Sequence, residues 1–481
     1  MFLLSQAAVE GALAAGATYA DARFGVTGYE AVVARNGEIE GLRQSESAGI
    51  GVRALIGSSW GFMSISEPSE LNARQAGHDA AEIAQASARV PGPPLELADV
   101  APVQAEWSSG WKEHPSDVSL AEKGDLLIGV TSAMKAVPGV SVAAAHLVAW
   151  DTQKWFVSSQ GHRIHQHIVE TGTSMSATAV GERETQRRSY GGIGGAYGTR
   201  GYELVREADL PGHAQRVGEE AVELLGAPEC PSATLDLILG SEQLALQIHE
   251  SVGHAIELDR ILGWEAAFAG TSFLDLAQLG SLRYGSELMN ITADATLPGA
   301  LGSFGFDDEG TPAQRVDIVR DGRWVGVLSG RDSAAVTGLP PGGMVRADGW
   351  GRLPMVRMTN VGILPGTSSL DEIIAATDDG VYMETNRSWS IDDKRLNFQF
   401  GCEVGYEVKH GRRGRLLRNP TYTGITPEFW GSLDMLGGPG EWISWGTPNC
   451  GKGQPMQMGH TGHPAVPARF RNVRVGVRSR A

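Results

Sequence analysis

Cysteine is scarce in this chain: Cys230, Cys402 and Cys450 are the only three in 481 residues. So few, odd in number and widely separated, they exclude the disulfide framework of a small secreted domain. They fit a reducing cytoplasm instead. Basic charge is also in deficit, with 40 Lys and Arg against 56 Asp and Glu and a formal net charge of -16. That sign is wrong for general binding to phosphate backbones, so no nucleic-acid partner is expected. No apolar run approaches the ~18 residues of a membrane-spanning helix, so a soluble protein without a membrane partner is expected. The opening "MFLLSQAAVEGALAAGATYADAR" is apolar, but no basic residue precedes that stretch and Glu10 interrupts it. A signal peptide is not expected. Near-repeats are absent too, which excludes a solenoid.

The residues present are those of a globular protein, 42% hydrophobic and 20% charged, and the length favours two or three domains. Arginines gather in "GRRGRLLRNP" and in the tail, where Val473, Val475 and Val477 alternate with Arg474, Gly476 and Arg478. This is the pattern of a half-buried strand with a solvated face, with anion contact as the alternative.

Periodicity predicts a helix over Leu3–Ala15 and strands at Ala20–Gly25, Ala31–Ala34 and Gly49–Leu55. A helix capped by Ser69 follows, then helices at Leu120–Ala136 and Leu204–Leu225, with strands such as "SVAAAHLVAW" and "QKWFVSSQG" between them. The glycine-rich "YGGIGGAYGTRGY" follows no apolar strand and opens no helix, so it reads as a closely packed loop and not as a phosphate cradle. "GAPECPSAT" is the best domain boundary. The predicted class is α+β, with an N-terminal α/β domain over 1–228 and a mainly β domain over 232–481. Asp321-Gly322 marks a hairpin turn in the latter.

The chemistry concentrates in "LALQIHESVGHAIELDR", where His249 and Glu250 precede His254. Each residue of an α-helix turns ~100°, so two histidines five positions apart point roughly 140° from one another. Two rings on different faces cannot reach one ion at ~2.0–2.1 Å. The helix must therefore bulge by about one residue, and Gly253 permits a π turn or a bend there. Leu244, Ile248, Val252 and Ile256 keep a four-residue spacing that would anchor the helix on a core. The triplet could equally be accidental, and a third ligand would decide. Cys450, in the glycine-flanked "GTPNCGKGQ", is one candidate, with Lys452 placed to favour a thiolate; His460 and His463 are others. Cys230 and Cys402 lack ligand spacing and read as structural.

"HESVGHAIELDR", "ILGWEAAFAGTSFL", "GSFGFDDEGTPAQR", "LPMVRMTN" and "CGKGQ", in that order, with "GATYADAR" and "GSSWGFMS" before them, resemble the TldD/PmbA family of metallopeptidases along nearly the whole chain. The resemblance implies a zinc-dependent peptidase in which His249, His254 and Cys450 hold Zn2+; Glu250, next to a ligand on the same helix, is then the carboxylate expected to take the water proton and hand it to the leaving amine. It also implies that unstructured or modified peptides are hydrolysed in a chamber enclosed by two subunits, as a homodimer or as a heterodimer with a homologous subunit. The intact triplet and cysteine match the catalytic type, whereas "MQMGHTGHPAVPARFRN" departs from it by adding His460 and His463. Asp307, Asp308, Glu309, Arg357 and Asn360 lie in the shared motifs, but turns and structural ion pairs explain them equally well. Three other readings stand beside this one: a non-catalytic peptide-binding scaffold, a closed structural zinc site using His460 or His463, and a metal-dependent amidase acting on small N-acyl compounds.

Overall fold

The computed structural model of the chain describes residues 1–90, 92, 95–192, 194–268 and 270–476. Its first half is built on an eight-stranded sheet whose long strands are Tyr19–Arg35, Glu38–Ile56, Val140–Ser158 and Arg163–Val180. Tyr19–Arg35 runs antiparallel to both Glu38–Ile56 and Val140–Ser158 along nearly its full length. Alternation then sorts its side chains by face. Ala20, Ala22 and Phe24 pack under the helices Phe2–Ala14 and Glu70–Ser87. Val32 and Ala34 pack under Leu120–Ala136 and Leu210–Gly226. Arg23, Gly25, Thr27 and Tyr29 are left on the opposite face, toward the second half of the chain.

Two details differ from the sequence reading. The separate strands expected at Ala20–Gly25 and Ala31–Ala34 are one strand, because Thr27 and Gly28, though poor hydrophobes, continue the ladder. The glycines of this region make room for a partner: a Cβ on Gly49 would lie 2.6 Å from the Trp350 ring. The helix expected over Leu204–Leu225 is two helices, Glu203–Ala208 and Leu210–Gly226. Asp209 breaks it in the left-handed region, at φ 44°, and its carboxylate accepts the Gly212 N–H at 3.2 Å, while Pro211 supplies no backbone donor.

The second half is mainly β, and the whole is the α+β fold expected. Strands Asp379–Ile391, Ala233–Leu239, Ala468–Val475, Thr421–Ile425 and Asn397–Lys409 pair in that order, and the first and last pair again to close a barrel. Asp321-Gly322 forms the expected hairpin turn, both residues at positive φ. In the tail, Val473 and Val475 are buried and Arg474 is exposed, a solvated strand face; Val477 and Arg478 lie outside the described residues. No helix among the described residues is long and apolar enough to cross a membrane.

Buried ion pairs hold the sheet against the second half. Arg53 joins Asp21 at 2.6 Å and Glu309 at 3.3 Å, and Asp308 joins Arg23 at 3.1 Å and Lys154. Asp307 closes a turn by accepting the N–H groups of Glu309 and Thr311, both at 2.9 Å. The acidic run thus serves as turn and junction. Asn360 ties loops within the second half together, its Oδ1 accepting the Gly302 N–H at 2.8 Å and its Nδ2 donating to the Asp294 carbonyl at 2.6 Å.

Candidate metal centre

The helix Ser241–Ile248 is buried on nearly every side, with Leu244, Ile248, Val252 and Ile256 wholly enclosed. At its end the residues His249–Gly253 form a π turn, and the His254 N–H bonds the His249 carbonyl at 3.1 Å. The extra residue rotates the second imidazole back toward the first, leaving ring centroids 4.8 Å apart and planes at 90°. Glycine is required here for packing as well: a Cβ on Gly253 would sit 2.1 Å from Met358 Sδ, in a fully buried cluster. Gly253→Ala is expected to destabilise the fold by about 1–3 kcal/mol through overpacking, read as a lower denaturant midpoint.

The third donor comes from the hairpin Ile443–Lys452 and Gln457–Ala465, which is irregular between Thr447 and Cys450. His249, His254 and Cys450 are all buried, with one donor atom of each inside 4.8 Å of the others. Cys450 Sγ stands 3.6 Å from His254 Nε2. Tetrahedral zinc, with nitrogen at ~2.0–2.1 Å and sulfur at ~2.3 Å, separates neighbouring N and S ligands by about 3.6 Å, so the donors fit that ion.

Hydrogen bonds fix which nitrogen is free. His463 Nδ1 donates to the Val361 carbonyl at 3.0 Å, so its Nε2 accepts from His249 Nδ1 at 2.7 Å. His254 Nδ1 donates to Glu257 at 3.0 Å. Both Nε2 lone pairs are thereby left toward the shared space, the arrangement that supports metal-binding imidazoles elsewhere. Burial lowers the pKa of both rings and so favours the neutral form that binds metal. Burial opposes ionisation of the Cys450 thiol, but His254 and Arg357 outweigh it and hold the pKa below the ordinary value.

Lys452 does not have the part the sequence suggested. Its ammonium is taken by Asp259 at 2.7 Å, Glu257 at 3.4 Å and the Val356 carbonyl at 2.8 Å. Arg357, which bonds the Cys450 carbonyl, is the cation that acts on the thiol. His463 stands behind His249 and not beside the sulfur, and His460 is turned away to Glu170 at 3.0 Å. Cys230 and Cys402 are buried elsewhere, their thiols pushed up by burial.

Glu250 is buried next to His249, and its Oε2 accepts from Arg395 Nη1 at 2.5 Å. Sequence reasoning missed Arg395 and Glu257. Glu257 lies three residues after His254, in the turn that leads into the short helix Leu258–Ile261, and no pattern in the sequence marks it. Arg395 arrives from the turn between two barrel strands and carries no local signal.

Three domain models match the chain: the PmbA/TldA metallopeptidase domain 1 over residues 20–88, its central domain over 113–227 and its C-terminal domain over 232–476. A protein of Methanothermobacter thermautotrophicus called "Metalloprotease" is 30% identical over 461 residues, 95% of each chain. A "Zinc metalloprotease TldD homolog" of Saccharolobus solfataricus is 27% identical over 201 residues, covering 42% of this chain and 43% of the relative. Among solved structures, a Thermotoga maritima protein superposes with a TM-score of 0.76 at 17% identity, covering 98% of this chain and 99% of the other. TldE of Thermococcus kodakarensis does so with 0.72 at 14%, covering 98% and 99%.

Proposed function

Since this chain belongs to the PmbA/TldD metallopeptidase family, we propose that it is a zinc-dependent peptidase whose metal is held by His249, His254 and Cys450. The observation that carries this reading is the convergence of two buried imidazoles and the buried Cys450 thiol within 4.8 Å. Held by these three residues, zinc would supply Lewis acidity to a peptide carbonyl and to water.

The chain's own residues handle the proton. Glu250 Oε2 is pinned by Arg395, so Oε1 takes the proton of the attacking water and returns it to the leaving amine. His463 and Glu257 hold the two rings in the correct tautomer. Burial of Glu250, His463 and Glu257 keeps bulk water from competing for them.

Unstructured or modified peptides are the substrates in this proposal, and a chamber formed with a second, homologous subunit would exclude folded proteins. The fold that this chain shares with TldE supports a like-shaped partner, while self-association is the alternative. The unit 1–228 would then serve assembly and 232–481 catalysis, in the cytoplasm where the three free thiols are stable. Purified alone, the chain is expected to bind one zinc and to cleave an unfolded peptide in a chelator-sensitive way once dimeric. Mass in solution, zinc per chain and cleavage decide it. A lone dimeric chain that holds zinc and cleaves nothing, with or without a homologous subunit, sinks the peptidase reading.

A further inference from the structure

A cavity of about 660 Å³ lies between the helix-free face of the first sheet, the loop at 346–352 and the strand residues 457–460. In a chain of net charge -16, its wall carries six Lys and Arg side chains and three carboxylates. The carboxylates are already engaged. Asp308 is held by Arg23 and Lys154, Glu170 by His460, and Asp348 accepts the Met458 N–H at 2.9 Å.

Arg346 and Arg357 have no carboxylate in direct contact, although Glu170, Asp308 and Cys450 favour the charge of Arg346 from farther off and Arg357 acts on the Cys450 thiol. Among the described residues neither forms an ion pair. Arg346 gives its Nη2 to the carbonyls of Met358 and His460, and Arg357 gives Nη1 to the Gln457 carbonyl at 3.4 Å and Nη2 to that of Cys450. Both Nε atoms are buried with no acceptor. The two guanidinium groups also disfavour each other, and burial together with Arg357 pushes Arg346 down to about 10. Cations left unsatisfied in this way are costly unless an anion completes them.

The placement is built into the strand. Gly459 pairs across the hairpin with Cys450, and a Cβ there would lie 2.3 Å from Arg357 Nη2, so only glycine lets that guanidinium lie against the strand. The cavity therefore ends one strand-step from the thiol. Trp150, Phe304 and Trp350 give it apolar walls. Its size suits the end of a peptide, and a planar guanidinium matches a carboxylate with paired donors.

We propose that Arg346 and Arg357 receive a carboxylate of the peptide substrate, either its C-terminal group or an acidic side chain, so that the enzyme selects peptides with an acid at that distance from the scissile bond. This rests on the peptidase reading for its substrate class.

Binding isolates the test from turnover. Calorimetry on zinc-loaded Glu250→Gln chain, in its native assembly, would compare one unstructured peptide as free acid, as C-terminal amide, and with Asp and Glu replaced by Asn and Gln. One of the two neutralisations is expected to weaken binding at least tenfold, and which one identifies the source of the carboxylate. In Arg346→Gln that discrimination should shrink to within twofold. Equal binding of all three peptides, no binding by any, or discrimination that survives Arg346→Gln would overturn the assignment. The two readings fail separately. Wild-type enzyme that cleaves all three peptides alike keeps the peptidase and loses the carboxylate site, whereas carboxylate-dependent binding without cleavage does the reverse.

Discussion

Glu250→Gln is expected to leave about one zinc per chain and to slow peptide hydrolysis by about 10²–10⁴-fold, the usual contribution of a positioned acid–base group. The substitution is conservative in shape. Glutamine retains an oxygen that can accept from Arg395, so the buried pair at Glu250 Oε2 loses its charge but not its hydrogen bond. What it lacks is a second oxygen able to take and return a proton. Zinc content, thermal midpoint and turnover measured on one preparation separate the cases. Normal zinc and normal stability with turnover near zero is the expected set, and undiminished turnover would remove Glu250 from the mechanism. An equal fall in zinc and turnover would show that the residue supports the site and not the proton transfer.

Cys450→Ala should have the largest effect on metal. Substitution of a residue that merely supports a ligand costs about 10–100-fold in affinity, and loss of the sulfur itself should exceed that range. After dialysis against a competing chelator the variant is expected to carry almost no zinc, while Cys230→Ala, remote from the site, keeps its full content. The hairpin should stay in place. Its anchor is the Cys450 main-chain carbonyl, bonded by Arg357, and the Lys452–Asp259 pair, neither of which needs the thiol. Full zinc in the variant would transfer the ligand role to His463 or His460, although His463 Nε2 is occupied by His249 and Thr461 and His460 by Glu170.

Legibility of the site in the sequence followed the range of the forces involved. The π turn was readable because helix geometry is local: two histidines five apart with a glycine between them leave few ways to meet. Cys450 was readable only as one of several third donors, since nothing local says where a loop 196 positions away will dock. Lys452 was misread for the complementary reason. Proximity in sequence to a thiol says little about a flexible ammonium when Asp259, distant in sequence, offers a buried carboxylate at 2.7 Å. In the fold, α+β layering and the Asp321-Gly322 turn were written in periodicity and turn chemistry. Closure of the barrel was not, because it depends on Asp379–Ile391 pairing with both Ala233–Leu239 and Asn397–Lys409, and pairing partners leave no periodic mark.

The distance along the chain between the donors has a temporal side. Two imidazoles are available as soon as the helix Ser241–Ile248 and its π turn form, but the sulfur is offered only when the hairpin Ile443–Lys452 and Gln457–Ala465 has folded over them. A nascent polypeptide that has not yet emerged to that point offers a two-nitrogen site with little hold on an ion. If these three residues hold the ion as proposed, its capture would be among the last events of maturation and would report that the C-terminal strands have closed.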